Sequence, residues 1–154
     1  SIVRFFNVYG PGQVAEFVMP IFIKRVLENK SPKVHGDGSQ IRTFCFVEDA
    51  VDGVSKALIQ ENGHNKIFNI GNDQGSISMK DLAEKVIKIS GKSLKPEFIP
   101  MRDSDREDSR EIKRRAPLIN HAREVLNYQP KFSLDEGIKK TIEMNCIFDT
   151  WSVS

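Results

Sequence analysis

Ile2-Val3-Arg4-Phe5-Phe6-Asn7-Val8-Tyr9-Gly10-Pro11-Gly12 opens the chain. Its β-branched and aromatic residues favour extended backbone, and Gly-Pro-Gly stops them sharply, so residues 2–9 read as a strand. Outward from it, helical and extended patterns alternate. Between Glu16 and Asn29 apolar residues recur at Phe17, Ile21, Ile23, Val26 and Leu27, which predicts a helix with Pro20 in its first turn. Lys33 to His35 and Ile41 to Val47 read as a hairpin joined by Gly36-Asp37-Gly38. A helix follows from about Val47 to Glu61, with Glu48 and Asp49 at its positive N-terminal end. Lys66-Ile67-Phe68-Asn69-Ile70 is another strand, closed by Gly71.

The second half continues the pattern. Ser78-Met79-Lys80-Asp81 reads as a capping box with Asp in place of Glu, opening a helix that Gly91 ends. Residues 96–100 are extended, and the heavily charged run Met101 to Arg115 reads as a solvated loop or lid. Amphipathic segments at Asn120 to Leu126 and from Leu134 to about Ile147, the latter capped by Ser133, complete the chain. Strands alternating with helices predict an α/β layer structure, and residues 1–154 read as a single unit.

Composition narrows the function. The 154 residues are 39% hydrophobic and 29% charged, and the 23 basic and 21 acidic side chains give a net charge of +2. Those charges are intermixed, so no global field points to nucleic acid or to an anionic membrane. Only Lys113-Arg114-Arg115 clusters, which reads as a solvated face. Cys45 and Cys146 read as buried thiols, with one disulfide between them as the other reading, and neither they nor His35, His64 and His121 have metal-ligand spacing. With no signal-type segment and no apolar run of membrane length, a soluble cytoplasmic protein is expected.

Catalytic signals are sparse. Gly10-Pro11-Gly12-Gln13-Val14-Ala15 fits Gly-x-Gly-x-x-Ala after a strand, but Pro11 removes a backbone donor and no acidic strand end follows at the proper distance. Hydride transfer in short-chain reductases uses Tyr-x-x-x-Lys, and here the fourth residue after Tyr9 is Gln13 and after Tyr128 is Phe132. Two arginines carry more. Arg42 lies between a glycine turn and an apolar strand, and Arg102 has Asp105 three residues on, a carboxylate able to accept from ribose hydroxyls. Guanidinium forks match phosphate oxygens bidentately. Spacing alone still favours ordinary surface ion pairs for both.

Several stretches taken together resemble the extended short-chain dehydrogenase/reductases that act on nucleoside-diphosphate sugars: epimerases, dehydratases and decarboxylases. They are Arg4 to Gln13, Met19-Pro20 with Phe22-Ile23, Val34 to Arg42, Phe46 to Ala50, Phe68 to Gly71, Arg102 with Asp105, Leu126 to Pro130, and Ser133 to Gly137. They recur in family order over essentially the whole chain, and Asn7 to Gly12 is worded most like the UDP-sugar epimerases. The resemblance implies the C-terminal part of a Rossmann-fold enzyme, with late sheet strands and the small substrate-binding subdomain. The cofactor loop and Tyr-x-x-x-Lys pair would belong to an N-terminal half that this chain does not resemble.

By position in that family, Asn7, Arg42 and Arg102 would hold the diphosphate, Asp105 the ribose, and Met19, Pro20 and His35 the base. Tyr9, Gly10 and Pro11 would wall the nicotinamide side of NAD or NADP. The implied partners are a nucleoside-diphosphate sugar, the missing half, and further copies of the chain through exposed sheet. The chain alone would bind cofactor very weakly and turn over nothing; the other reading is a nucleotide-sugar-binding or assembly module without catalysis. Three departures stand out: Thr43 where Asp commonly follows the arginine, Asn127 where Gly is usual, and Asn120-His121 in place of Ser-Lys.

Overall fold

The computed structural model describes residues 1–100 and 112–148. In chain order the elements are β1 (Ile2–Phe5), β2 (Val8–Tyr9), α1 (Val18–Leu27), β3 (Lys33–His35), β4 (Ile41–Arg42), β5 (Cys45–Phe46) and α2 (Val47–Ile59). After a short 3₁₀ turn come β6 (Ile67–Ile70), β7 (Ile77–Ser78), α3 (Met79–Ser90), β8 (Glu97–Ile99), β9 (Arg114–Arg115), α4 (Asn120–Leu126) and α5 (Leu134–Phe148). The expected α/β alternation is present, and most strand pairs are parallel: β1 with β6, β2 with β5, β3 with β8 and β4 with β9.

Three expectations are corrected. The opening strand is two strands, because Asn7 turns into the left-handed region at φ 45° and redirects the chain, so β1 joins β6 while β2 joins β5. The hairpin does not form. Gly36 and Gly38 do adopt positive φ, at 65° and 70°, but β3 pairs with β8 and β4 with β7 and β9, so the turn connects separate sheets. Its shape comes from Asp37, whose carboxylate accepts from the Ser39 amide at 2.9 Å, and from Gly38, where an added Cβ would lie 2.7 Å from Val34. Of the charged run expected to be a loop or lid, residues 101–111 lie outside the described residues, and in the remainder Arg114 and Arg115 form β9 on the edge of β4.

Helix ends follow local chemistry. Ser78 Oγ accepts from the Asp81 amide at 3.0 Å and donates to the Asp81 carboxylate at 2.7 Å, and Gly91 closes α3 at φ 69°. Ser133 and Glu136 form a reciprocal box at the start of α5; these bonds from Ser133 hold the Glu136 carboxyl below its ordinary value. Asn127 ends α4 at φ 50°, which explains an asparagine where glycine is usual: both tolerate the left-handed region.

Alternation along β2 and β5 divides the interior into two apolar clusters. Tyr9 and Phe46 face one, with Met19, Phe22, Val34, Leu82 and Ile138, whereas Cys45 faces the other, with Phe68, Ile70, Leu126 and Tyr128. Helix α5 approaches closely through Gly137, where an added Cβ would overlap the Tyr9 hydroxyl. Asp49, buried at the start of α2, accepts from the amides of Lys131 at 2.8 Å and Phe132 at 3.2 Å, so the segment before α5 is tied to the centre of the fold. Among the described residues no helix is long and apolar enough to cross a membrane.

Candidate functional site

The candidate site forms where β1, β2, β4 and β5 meet. Asn7 holds them together. Its side-chain amide donates to the Thr43 carbonyl at 2.8 Å, and its own carbonyl accepts from the Cys45 amide at 3.1 Å. Positive φ at Asn7 allows both bonds at once, and Asn adopts that conformation more readily than most residues. Asn7 is thereby locked beside Thr43, the residue that follows Arg42.

Arg42 is half-buried in the middle strand of the β7-β4-β9 sheet. Its Nη1 donates to the Ile41 carbonyl at 2.8 Å and reaches the Lys113 carbonyl at 3.5 Å, which orients the guanidinium along the start of β9. Thr43 is 1% exposed, and its hydroxyl has no hydrogen-bond partner among the described residues.

The remaining candidates are distributed differently. His35 is exposed on β3, opposite Ile99, in another sheet from Arg42. Met19 and Pro20 are buried in the first turn of α1, where Met19 packs with Tyr9, Phe44 and Phe46. Arg102 and Asp105 lie outside the described residues. Tyr9 faces inward: its hydroxyl donates to the Leu134 carbonyl at 3.3 Å, its ring meets Phe44 and Phe46 edge-on, and burial pushes its phenol well above the ordinary value. The Gly10 backbone runs so close to Val47 that a Cβ there would lie 2.5 Å from it. Residues 10–13 form a turn, with the Gln13 amide donating to the Gly10 carbonyl at 3.3 Å, and α1 starts only at Val18. A phosphate-binding helix start does not follow this Gly-x-Gly, because residues 14–17 separate the turn from α1.

A buried polar chain behind the site gave no signal in the sequence. The Tyr128 hydroxyl donates to the Gly71 carbonyl at 3.0 Å and lies 3.6 Å from Cys45 Sγ. Burial raises the Cys45 thiol to about 11. Cys45 is free, and its environment is that of an inert structural thiol. Among the described residues no group of three or more His, Cys, Asp or Glu is placed to hold a metal ion.

Residues 1–71, which contain Asn7, Arg42 and Thr43, match the model of the NAD dependent epimerase/dehydratase family. UDP-glucuronate 4-epimerase of Thermodesulfobacterium geofontis is 32% identical over 142 residues, 92% of this chain and 42% of that protein. The chain is similar to the NAD-dependent epimerase/dehydratase family, over residues 1–71 for the family model and over 92% of its length for this relative. UDP-glucose 4-epimerase of Mycolicibacterium smegmatis is 38% identical over 141 residues, again covering 42% of its length. The crystal structure of UDP-glucuronic acid 4-epimerase from Bacillus cereus in complex with UDP-glucuronic acid and NAD superposes with a TM-score of 0.82 at 31% identity. It is matched over 96% of this chain and 45% of its own.

The chain therefore spans less than half the length of the epimerase/dehydratase relatives it matches, and its fold is a portion of their Rossmann architecture. Family relatives bind NAD and UDP-sugars.

Proposed function

We propose that this chain supplies the nucleotide-sugar-binding part of an NAD-dependent sugar-nucleotide enzyme. The observation that carries the reading is the Asn7–Thr43 lock beside an Arg42 guanidinium already oriented by the Ile41 carbonyl. A guanidinium held in place before binding loses less freedom when a diphosphate arrives. Asn7, Arg42 and Arg102 bind the diphosphate in this reading, Asp105 the ribose, and the segment of Met19 and Pro20, with His35, closes over the base. Gly10 and Pro11 border the nicotinamide, and Tyr9, turned into the core, supports them from behind. In the complete enzyme NAD oxidises the sugar by hydride transfer, and epimerisation, dehydration or decarboxylation precedes return of the hydride. The chain contributes binding and orientation, and the acid–base pair comes from another part of the enzyme.

Exposed Ile2, Phe5 and Ile67 on the β1–β6 pair support association of this face with the remainder of a longer enzyme or with a second copy. Calorimetric titration with UDP tests the binding role. Arg42→Ala is expected to weaken UDP at least about tenfold, roughly 1.4 kcal/mol, while NAD binds very weakly to either protein. Unchanged UDP affinity in Arg42→Ala rejects the reading.

A further inference from the structure

We infer that Ser78 is a positioning residue of the nucleotide site, holding its base side and its phosphate side at a fixed separation without touching the ligand. The inference rests on the nucleotide-binding reading above, in which His35 meets the base and Arg42 the diphosphate. Those two residues lie on β3 and β4, which belong to different sheets and are not paired with each other. Residues 36–41 join them, and Gly36 and Gly38, both at positive φ, leave that connection conformationally permissive. Its shape must be held from outside.

The start of α3 holds it. Residues 77–80 run antiparallel to residues 42–38: Ile77 pairs with Arg42 and Ser78 with Ile41, then the Met79 amide donates to the Gln40 carbonyl at 3.1 Å and the Lys80 amide to the Gly38 carbonyl at 3.1 Å. The connection thereby takes two of the first amides of α3, which a helix leaves without internal partners. Ser78 joins the two parts of this clamp. Its backbone lies on β7 beside Ile41, while its Oγ accepts from the Asp81 amide at 3.0 Å and donates to the Asp81 carboxylate at 2.7 Å. Behind it, α3 is anchored through Leu82, Ala83 and Val86, buried in the cluster that contains Val34, the neighbour of His35. Gly38 is pressed between the two, since an added Cβ would lie 2.7 Å from Val34 and 3.0 Å from Lys80. Without the Ser78 cap the first turn of α3 frays, and the amides that hold Gly38 and Gln40 are released with it. Fewer molecules then keep His35 and Arg42 at the separation that one UDP bridges, and the apparent affinity falls by that fraction.

The second capping box supplies the control. Ser133 and Glu136 cap α5 by the same chemistry, at a helix start that meets Tyr9, so Ser133→Ala lowers stability by a comparable amount. UDP is titrated calorimetrically into the wild-type chain and the Ser78→Ala, Ser78→Thr, Asp81→Ala, Ser133→Ala and Arg42→Ala variants, with urea midpoints measured alongside. The expected affinity is about three- to fivefold weaker in Ser78→Ala, weaker in the same direction in Asp81→Ala, and near wild type in Ser78→Thr, which restores the capping hydroxyl. Ser133→Ala should change it by less than about 1.5-fold despite a similar fall in midpoint. Equal losses in Ser78→Ala and Ser133→Ala would show a general loss of stability and overturn the inference, as would a loss in Ser78→Thr equal to that in Ser78→Ala. Wild-type affinity in Ser78→Ala, or in Asp81→Ala if Ser78→Ala does not fold, would overturn it too. If Arg42→Ala alone weakens UDP, only the role of Ser78 falls; if Arg42→Ala binds as wild type, the nucleotide-binding reading falls with it.

Discussion

Thr43→Val should make the protein more stable, although it removes a polar group from the centre of the candidate site. Thr43 is 1% exposed and its hydroxyl has no partner among the described residues, while its carbonyl is occupied by Asn7. Leaving a buried hydroxyl unpaired costs about 1–3 kcal/mol. Valine keeps the β-branched shape, leaves the Asn7 bond to the backbone intact and replaces the hydroxyl with a methyl. A gain of about 1 kcal/mol is expected after imperfect fit is allowed for. With a urea m-value of about 2 kcal/mol/M, the midpoint rises by about 0.5 M. Thr43→Ser is the opposing arm: it keeps the hydroxyl, deletes a buried methyl and lowers the midpoint by a similar amount, from a loss of about 1 kcal/mol. Equilibrium urea unfolding followed by circular dichroism reads both. A fall in midpoint for Thr43→Val, with Thr43→Ser near wild type, would mean that the hydroxyl is hydrogen-bonded in the folded protein and would refute the argument.

Cys45 makes stability fall at alkaline pH. Burial lifts its thiol from 9.0 to about 11, so above pH 9 the unfolded chain releases a proton that the folded chain retains, and stability declines as pH rises through that window. Near pH 9 Cys45 contributes a slope of about 0.7 kcal/mol per pH unit and Cys45→Val removes most of the decline there, whereas nearer pH 10 the buried Tyr9 and Tyr128 phenols add to it; equal slopes in the two proteins near pH 9 would count against the buried thiol. For the exposed β1–β6 face, light scattering is expected to find the isolated chain self-associating, with Phe5→Lys shifting it toward monomer. A monomeric wild-type chain at high concentration would contradict this.

What could be read in the sequence was mostly local. Ser78, Gly91 and Ser133 announce helix ends through bonds made within a few residues, and all three act as their types suggest. The alternation of strand and helix gave the layer type for the same reason. The failures concern pairing. Gly36-Asp37-Gly38 signals positive φ, and both glycines adopt it, but a turn's dihedrals do not say whether the flanking strands will meet. Strands as short as β4, β5 and β9 have no periodicity to read, and their partners are distant in the chain. At the site, Asn7 and Arg42 came forward through family position, not through spacing. The structure adds what binds Asn7 to Thr43 and which carbonyls orient Arg42.

The ties from Asp49 to the segment before α5, and from Tyr128 back to Cys45 and Gly71, also govern how the chain assembles. Asp49 meets its donors 82 and 83 residues later, Tyr128 Oη lies 83 residues from Cys45, and β1 waits for β6. Ribosomal synthesis adds about 5–20 residues per second, so the first strand spends seconds without its partner, and parallel pairings of this span close slowly. Phe68 and Ile70 cannot be covered until Leu126 and Tyr128 have emerged. Folding is thus gated by the last third of the chain, and the opening strand, which carries Asn7 at its end, depends longest on protection from aggregation.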